Sequence, residues 1–166
     1  MKKSSFSVSS VRFYPESRLK SGRRAVAKKR SFYFLSAMIN DQLDIGDRGE
    51  AIAEKFLLDN GYAVIARNYT TKGGEVDFIA VENDEICFVE VKTRTGIEMG
   101  RPEEAVTFSK KRRIARAAKS FIFEKDLYAK SCRFDVIAIL LPDNSEPAIE
   151  HFKNAFRLDE IRMKLY

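Results

Sequence analysis

The sequence predicts an α/β protein built on a mixed β-sheet flanked by helices. Three observations predict it. A helical apolar period runs through residues 44–60, ahead of the first strand-like segment. Two apolar runs, Val76 to Val81 and Ile86 to Val91, flank the polar turn Glu82-Asn83-Asp84-Glu85, as in a β-hairpin. A second amphipathic helix then leads into Arg-Phe-Asp-Val-Ile-Ala-Ile-Leu-Leu (133–141), the nearly unbroken apolar run of a strand covered on both faces.

The 166 residues suit one folded domain with a tail. The apolar share is 45%, and no apolar run is long enough to span a bilayer, so a cytoplasmic protein without a membrane partner is expected. The net charge of +6 is unevenly placed. Residues 1–37 hold ten Lys or Arg against Glu16 alone, while the remainder holds 20 bases and 23 acids. Any attraction of the folded part for nucleic acid must therefore come from a local patch. The division expected is a tail over 1–40 and a domain over 41–166. For the tail three readings stand open: a disordered basic arm, a transit-like peptide, or residues preceding a true start at Met38.

The elements follow in order. In the helix of 44–60, Ile52, Ala53, Phe56, Leu57 and Asn60 form the inward stripe and Gly61 the stop. Glu50 falls on the inward side of its first turns, either as an acid favoured by the helix N-terminus or as one aimed into a site. Residues 62–68 form a strand, 69–74 a turn, and the hairpin follows. Residues 95–101 form a loop, and Pro102 suits a short helical turn. A longer helix spans about 107–125, with Ile114, Ala117, Ala118, Phe121 and Ile122 inward. After the 133–141 strand come a turn, an edge strand over 148–152 and a short helix over 157–166. Cys87 and Cys132 lie in strands without metal-type spacing and are expected as reduced core residues.

The hairpin carries charges where a core strand has none. Glu90 and Lys92 are two apart and share a face, and Asp77 stands on the partner strand. Two carboxylates brought together disfavour each other's ionisation unless a cation lies between them. Carboxylate oxygens suit Mg²⁺ or Mn²⁺. The plainer alternative is an ion pair of Lys92 with Glu90 or Asp77, and the spacing alone leaves both open.

Asp77 followed by Glu90-Val91-Lys92 resembles the signature of the PD-(D/E)XK nuclease superfamily. The wider set is Gly49-Glu50, Gly61-Tyr62, Arg67-Asn68-Tyr69, Gly74-Glu75-Val76-Asp77, Phe88 through Arg94, Arg133-Phe134-Asp135-Val136, His151 and Asn154-Ala155-Phe156. Over roughly 44–158 it resembles the YraN-like family, a bacterial group similar to archaeal Holliday-junction resolvases. The resemblance implies a restriction-endonuclease-like αβββαβ core. It implies catalysis by Asp77, Glu90 and Lys92, a Mg²⁺ or Mn²⁺ ion held by Asp77, Glu90, the Val91 carbonyl and Glu50, and DNA as substrate, branched DNA included. By analogy with the resolvases it also implies a homodimer. Val76 stands where the superfamily name has proline, and Glu75 is expected to point away from Asp77's near neighbours or to aid the turn.

Lys110, Lys111, Arg112, Arg113, Arg116 and Lys119 crowd the start of the second helix, and Arg112, Arg116 and Lys119 share a face. Such a face suits phosphate contacts without sequence specificity, or is simply a solvated face. His151, the lone histidine, is expected to pack or hydrogen-bond, and Asp135 to pair with Arg133 or a turn amide. The expected activity is metal-dependent phosphodiester hydrolysis. A non-catalytic module binding nucleic acid or a repair protein is the alternative, and an assembly partner without nucleic acid the third reading.

Overall fold

Local sequence sets the first helix, α1 (Ile45–Asp59), at both ends. The Asp44 carboxylate accepts the Asp47 amide at 2.9 Å, satisfying one of the donors a helix start leaves open. At the other end the Asn60 side chain donates to the Phe56 carbonyl at 2.7 Å, and Gly61 takes φ +86°. Asn60 is thus an exposed cap and not part of the inward stripe, because the helix ends one residue before it. The computed structural model describes residues 44–95, 106–142 and 146–161. The tail of 1–40, the 96–101 part of the expected loop and Pro102 lie outside them.

The described residues form one five-stranded sheet in the order β1 (Ala63–Thr71), β2 (Gly74–Glu82), β3 (Glu85–Arg94), β4 (Cys132–Leu140), β5 (Ala148–Phe156). Neighbours run antiparallel except β3 and β4, which are parallel. Parallel strands need a crossover, supplied by helix α2 (Phe108–Lys125), capped by Thr107 at its start. The sheet is mixed, as expected, and β5 is its edge. The β2–β3 turn places Asn83 at φ 49° and Asp84 at φ 67°, the left-handed pair of a tight hairpin that Asn and Asp tolerate.

Apolar side chains divide between two faces. Under α2, against its Ile114 and Phe121, lie Val76, Ile79, Phe88, Phe134 and Phe156, with the Phe88–Phe134 and Phe134–Phe156 rings stacked at 5.6 and 4.9 Å. Under α1, against its Ile52 and Leu57, lie Phe78, Val89, Ile137 and Ile139. β4 is covered on both faces from Phe134 onward, as its composition predicts.

Three boundaries differ from expectation. β1 runs on through Tyr69–Thr71, because those residues pair with Val76, Glu75 and Gly74; the turn is only Lys72-Gly73. β5 extends to Phe156, which pairs with Phe134 and buries its ring. The expected helix of 157–166 is a turn over 158–161, and 162–166 lie outside the described residues. No helix among the described residues is long and apolar enough to cross a membrane.

Candidate active site

β2 and β3 keep antiparallel register from Glu82↔Glu85 as far as Phe78↔Val89, and then part. Asp77 and Glu90 are the first residues beyond that fork. The pleat slips at the same place: Val76 packs under α2, whereas Phe78 and Ala80 pack under α1. Regular alternation would put all three on one face. The slip lets the Asp77 carboxylate turn towards β3, where Oδ2 accepts the Val91 N–H at 2.7 Å.

The Asp77 and Glu90 carboxyl groups lie close enough for each to perturb the other. Burial, then the Asp77 charge, pushes Glu90 up to about 7, against the opposing pull of Lys110. Burial also holds Asp77 above the usual carboxylate range, opposed by the Val91 amide and Lys110. The pair therefore retains a proton towards neutral pH.

Glu90 is 7% exposed. Its Oε1 lies 3.1 Å from Lys110 Nζ, while Oε2 is buried without a hydrogen-bond partner. Asp135, one strand over and fully buried, shows how this fold satisfies an acid. It takes Arg133 Nε at 3.0 Å, His151 Nε2 at 3.0 Å and the Asn154 amide at 2.8 Å. Buried acids are ordinarily supplied with partners in this way, so the bare Glu90 oxygen stands out.

The second helix delivers the site's cation. A Cβ on Gly74 would come within 1.8 Å of the Arg113 carbonyl oxygen, so only glycine lets α2 rest on that turn. With α2 this close, Lys110 Nζ also reaches Glu75 Oε1 at 3.0 Å, and Arg113 Nη2 reaches the same oxygen at 3.3 Å. Lys110 draws the Glu75 carboxyl below its ordinary value. Glu75 therefore binds two cations of α2 and does more than serve the turn.

On the other face α1 approaches β3 through Gly49, where a Cβ would fall 1.7 Å from Thr93 Oγ1. The next residue, Glu50, is half-buried. Burial raises its pKa, a hydrogen bond from the Asn68 side chain opposes this, and the charge of Asp77 adds to it. Asn68 itself sits at φ 46°, a conformation asparagine accepts more readily than most residues. Glu50 thus feels Asp77 without joining its hydrogen bonds.

Lys92 shares the face of Glu90 but is exposed. The ion pair with Glu90, which the plainer alternative gave to Lys92, is made by Lys110 from a different element. Val91 enters the site through its amide, while its side chain packs under α1. Among the described residues no group of three or more His, Cys, Asp or Glu is set to enclose a metal ion. What the site offers is two carboxylates in contact, one with a bare oxygen. That donor set fits a hard cation that keeps several of its own waters.

The remaining cations of the 110–119 cluster divide in two. Lys111 lies over the Phe156 ring at 5.4 Å, and Arg113 pairs with Glu75. Arg112, Arg116 and Lys119 are exposed. His151 lies against Asp135 and between the Phe56 and Tyr62 rings, the packing role expected of it. Cys87 is a free buried thiol whose pKa burial pushes up to about 12, and Cys132 is free and half-buried.

Sequence reasoning missed the place of Lys110, though two signals mark it. It lies four residues before the buried Ile114, hence on the inward stripe, and a lysine in a helix's first turn opposes the macrodipole. A residue disfavoured by its own helix points to a partner elsewhere.

Comparison with known proteins identifies the family. The model of "Uncharacterised protein family UPF0102" matches residues 49–139. A UPF0102 protein of Trichlorobacter lovleyi is 46% identical over 115 residues, covering 69% of this chain and 91% of the relative. One from Rhodococcus opacus is 46% identical over 114 residues, covering 69% and 97%. One from Chlorobium phaeobacteroides is 42% identical over 127 residues, covering 74% and 100%. With its αβββαβ core and its Asp77…Glu90-Val91-Lys92 motif, the chain belongs to UPF0102, the YraN-like family of the PD-(D/E)XK nuclease-like superfamily.

Proposed function

We propose that this protein is a divalent-cation-dependent nuclease that hydrolyses phosphodiester bonds of DNA at the β2–β3 fork. The observation that carries the reading is the bare, buried Oε2 of Glu90 beside the Asp77 carboxyl. A fold that gives Asp135 three partners leaves this acid short of one, and a metal ion is the partner two adjacent carboxylates suit. Asp77, Glu90, the Val91 carbonyl and Glu50 would hold Mg²⁺ or Mn²⁺. Bound there, such an ion polarises a phosphoryl oxygen and makes water a better nucleophile.

The chain's own residues do the rest. Lys92, exposed on the face of Glu90, meets the phosphate or the attacking water. Arg112, Arg116 and Lys119 grip the backbone without reading bases, which suits selection by DNA shape, as at a branch. The test is a panel of duplex, flap and four-way-junction DNA with Mg²⁺ or Mn²⁺. Cleavage is expected with wild type and lost in Asp77→Ala and Glu90→Ala; cleavage that persists in both variants removes the site assignment.

A second reading has its own support. Lys110 already balances part of the acid charge, as it would in a module that binds DNA and does not cut. Metal-independent DNA binding with no product from any substrate in the panel would favour that reading.

A further inference from the structure

We propose that Lys110 is the resident counter-ion of the acid pair, competing with a divalent cation for Glu90 and retreating onto Glu75 when that cation binds. The proposal rests on the metal reading above and goes beyond it, since Lys110 is no part of the Asp77…Glu90-Val91-Lys92 motif.

The geometry supports an exchange. Lys110 Nζ contacts Glu90 Oε1 at 3.1 Å and Glu75 Oε1 at 3.0 Å, so one ammonium bridges two acids. Of these acids Glu90 is 7% exposed, whereas the Glu75 side chain is 37% exposed. Withdrawal from Glu90 strips a buried carboxylate of its cation, which is tolerable only if another takes over. Withdrawal from Glu75 costs less, because water and Arg113 Nη2, at 3.3 Å, remain. Lys110 is itself free to shift: its side chain is 26% exposed and ends a flexible stem. Glu75 is therefore the acid to which the ammonium withdraws, tethered and still beside the fork.

The bridge also explains why α2 is brought so near. Gly74 places the helix backbone against the turn preceding Glu75, and Thr107 accepts the Lys110 amide at 3.3 Å, fixing the first turn from which the lysine extends. Without metal, Lys110 screens the mutual repulsion of Asp77 and Glu90 and preserves their spacing. Binding of the ion exchanges one cation for another in a site that keeps its shape.

The test is Mn²⁺ titration calorimetry on the metal-stripped full chain without DNA, comparing wild type, Lys110→Met, Arg113→Met, Glu90→Gln and the double variant Lys110→Met with Glu90→Gln. Lys110→Met is expected to bind Mn²⁺ about tenfold tighter or more, in the range of coupling between competing ligands. Arg113→Met removes an equal charge from Glu75 but none from Glu90, and is expected to change affinity less than about threefold, as a general field effect does. The gain is expected to be absent when Lys110→Met is added to Glu90→Gln and compared with Glu90→Gln alone. Thermal melts supply a second readout: Lys110→Met melts lower than wild type without metal and gains more from Mn²⁺. If Lys110→Met is poorly folded without metal, Lys110→Gln and melts across a Mn²⁺ series replace it. Wild-type binding with no gain in Lys110→Met overturns the competition and leaves the metal site standing. An equal gain in Arg113→Met reduces the effect to general charge and also overturns it. Absence of Mn²⁺ binding in every variant at millimolar ion overturns both proposals.

Discussion

The Asp77 carboxylate accepts the Val91 amide at 2.7 Å, so a side chain fills the place beyond the last β2–β3 pair. Two properties of Asp77, its acceptor oxygen and its charge, can therefore be separated. Asp77→Asn keeps an acceptor, and its stability is expected to stay within about 1 kcal/mol of wild type. Asp77→Ala leaves the amide unpaired and is expected to cost about 1–3 kcal/mol. Both are expected to lose Mn²⁺ binding. Urea denaturation beside calorimetry checks the pair, and equal stability losses would show that the hydrogen bond contributes nothing.

The proton on the acid pair sets a pH dependence. Glu90 holds its proton up to about 7 when folded, against 4.5 as its ordinary value, so the folded state binds more protons between those limits. Stability from this group is fully present below the lower limit and is lost as pH rises through the upper one. In metal-free buffer Glu90→Gln is expected to gain on wild type by about 1–3 kcal/mol between pH 4.5 and pH 8. Paired denaturation series over that range check it; a constant difference between the two proteins would contradict the raised pKa.

Arg133 gives a contrast in magnitude. It contacts Asp135, Glu82 and Glu85, and Asp135 is fully buried. Arg133→Met leaves that acid with His151 and an amide, and a loss of about 3–5 kcal/mol is expected. Lys130 pairs with Asp84 at the exposed hairpin tip, and Lys130→Met is expected to cost less than about 1 kcal/mol. Thermal melts of the two variants check the difference.

The exposed cations of α2 make a prediction about salt. Replacing Arg112, Arg116 and Lys119 by Ala is expected to weaken DNA binding equally across sequences. The slope of log affinity against log salt is expected to fall by roughly one for each phosphate that is no longer neutralised. Fluorescence anisotropy from low to moderate salt checks this. An unchanged slope would assign the three residues to a solvated face.

The fold was legible because its signals are local. Periodicity marks both helices, two apolar runs about a polar turn mark the hairpin, and a longer apolar run marks β4. The two acids were legible because charge inside an apolar strand is anomalous on its face. Lys110 was hidden by its company: among six neighbouring cations, spacing to Ile114 alone distinguishes it. Glu75 was hidden because its partners are 35 and 38 residues away in sequence, brought near by a crossover. The run of β1 past residue 68 was hidden because Asn68 takes a left-handed φ that usually ends a strand, and here only bends it.

The closeness of Gly49 to Thr93 and of Gly74 to Arg113 has a further consequence. At both places the spacing is set by a missing methyl group, and at Gly74, where the neighbour is the Arg113 backbone, no side-chain repacking can change it. On the α2 face the fork is gauged by backbone against backbone, the least adjustable part of the chain, and on the α1 face by the Gly49 backbone against the Thr93 side chain. Sequence drift in the apolar layers can alter stability while the separation of Asp77, Glu90 and Lys110 stays nearly constant. The glycines thus act as fixed stops, and the chemistry at the fork is insulated from the wear of its surroundings.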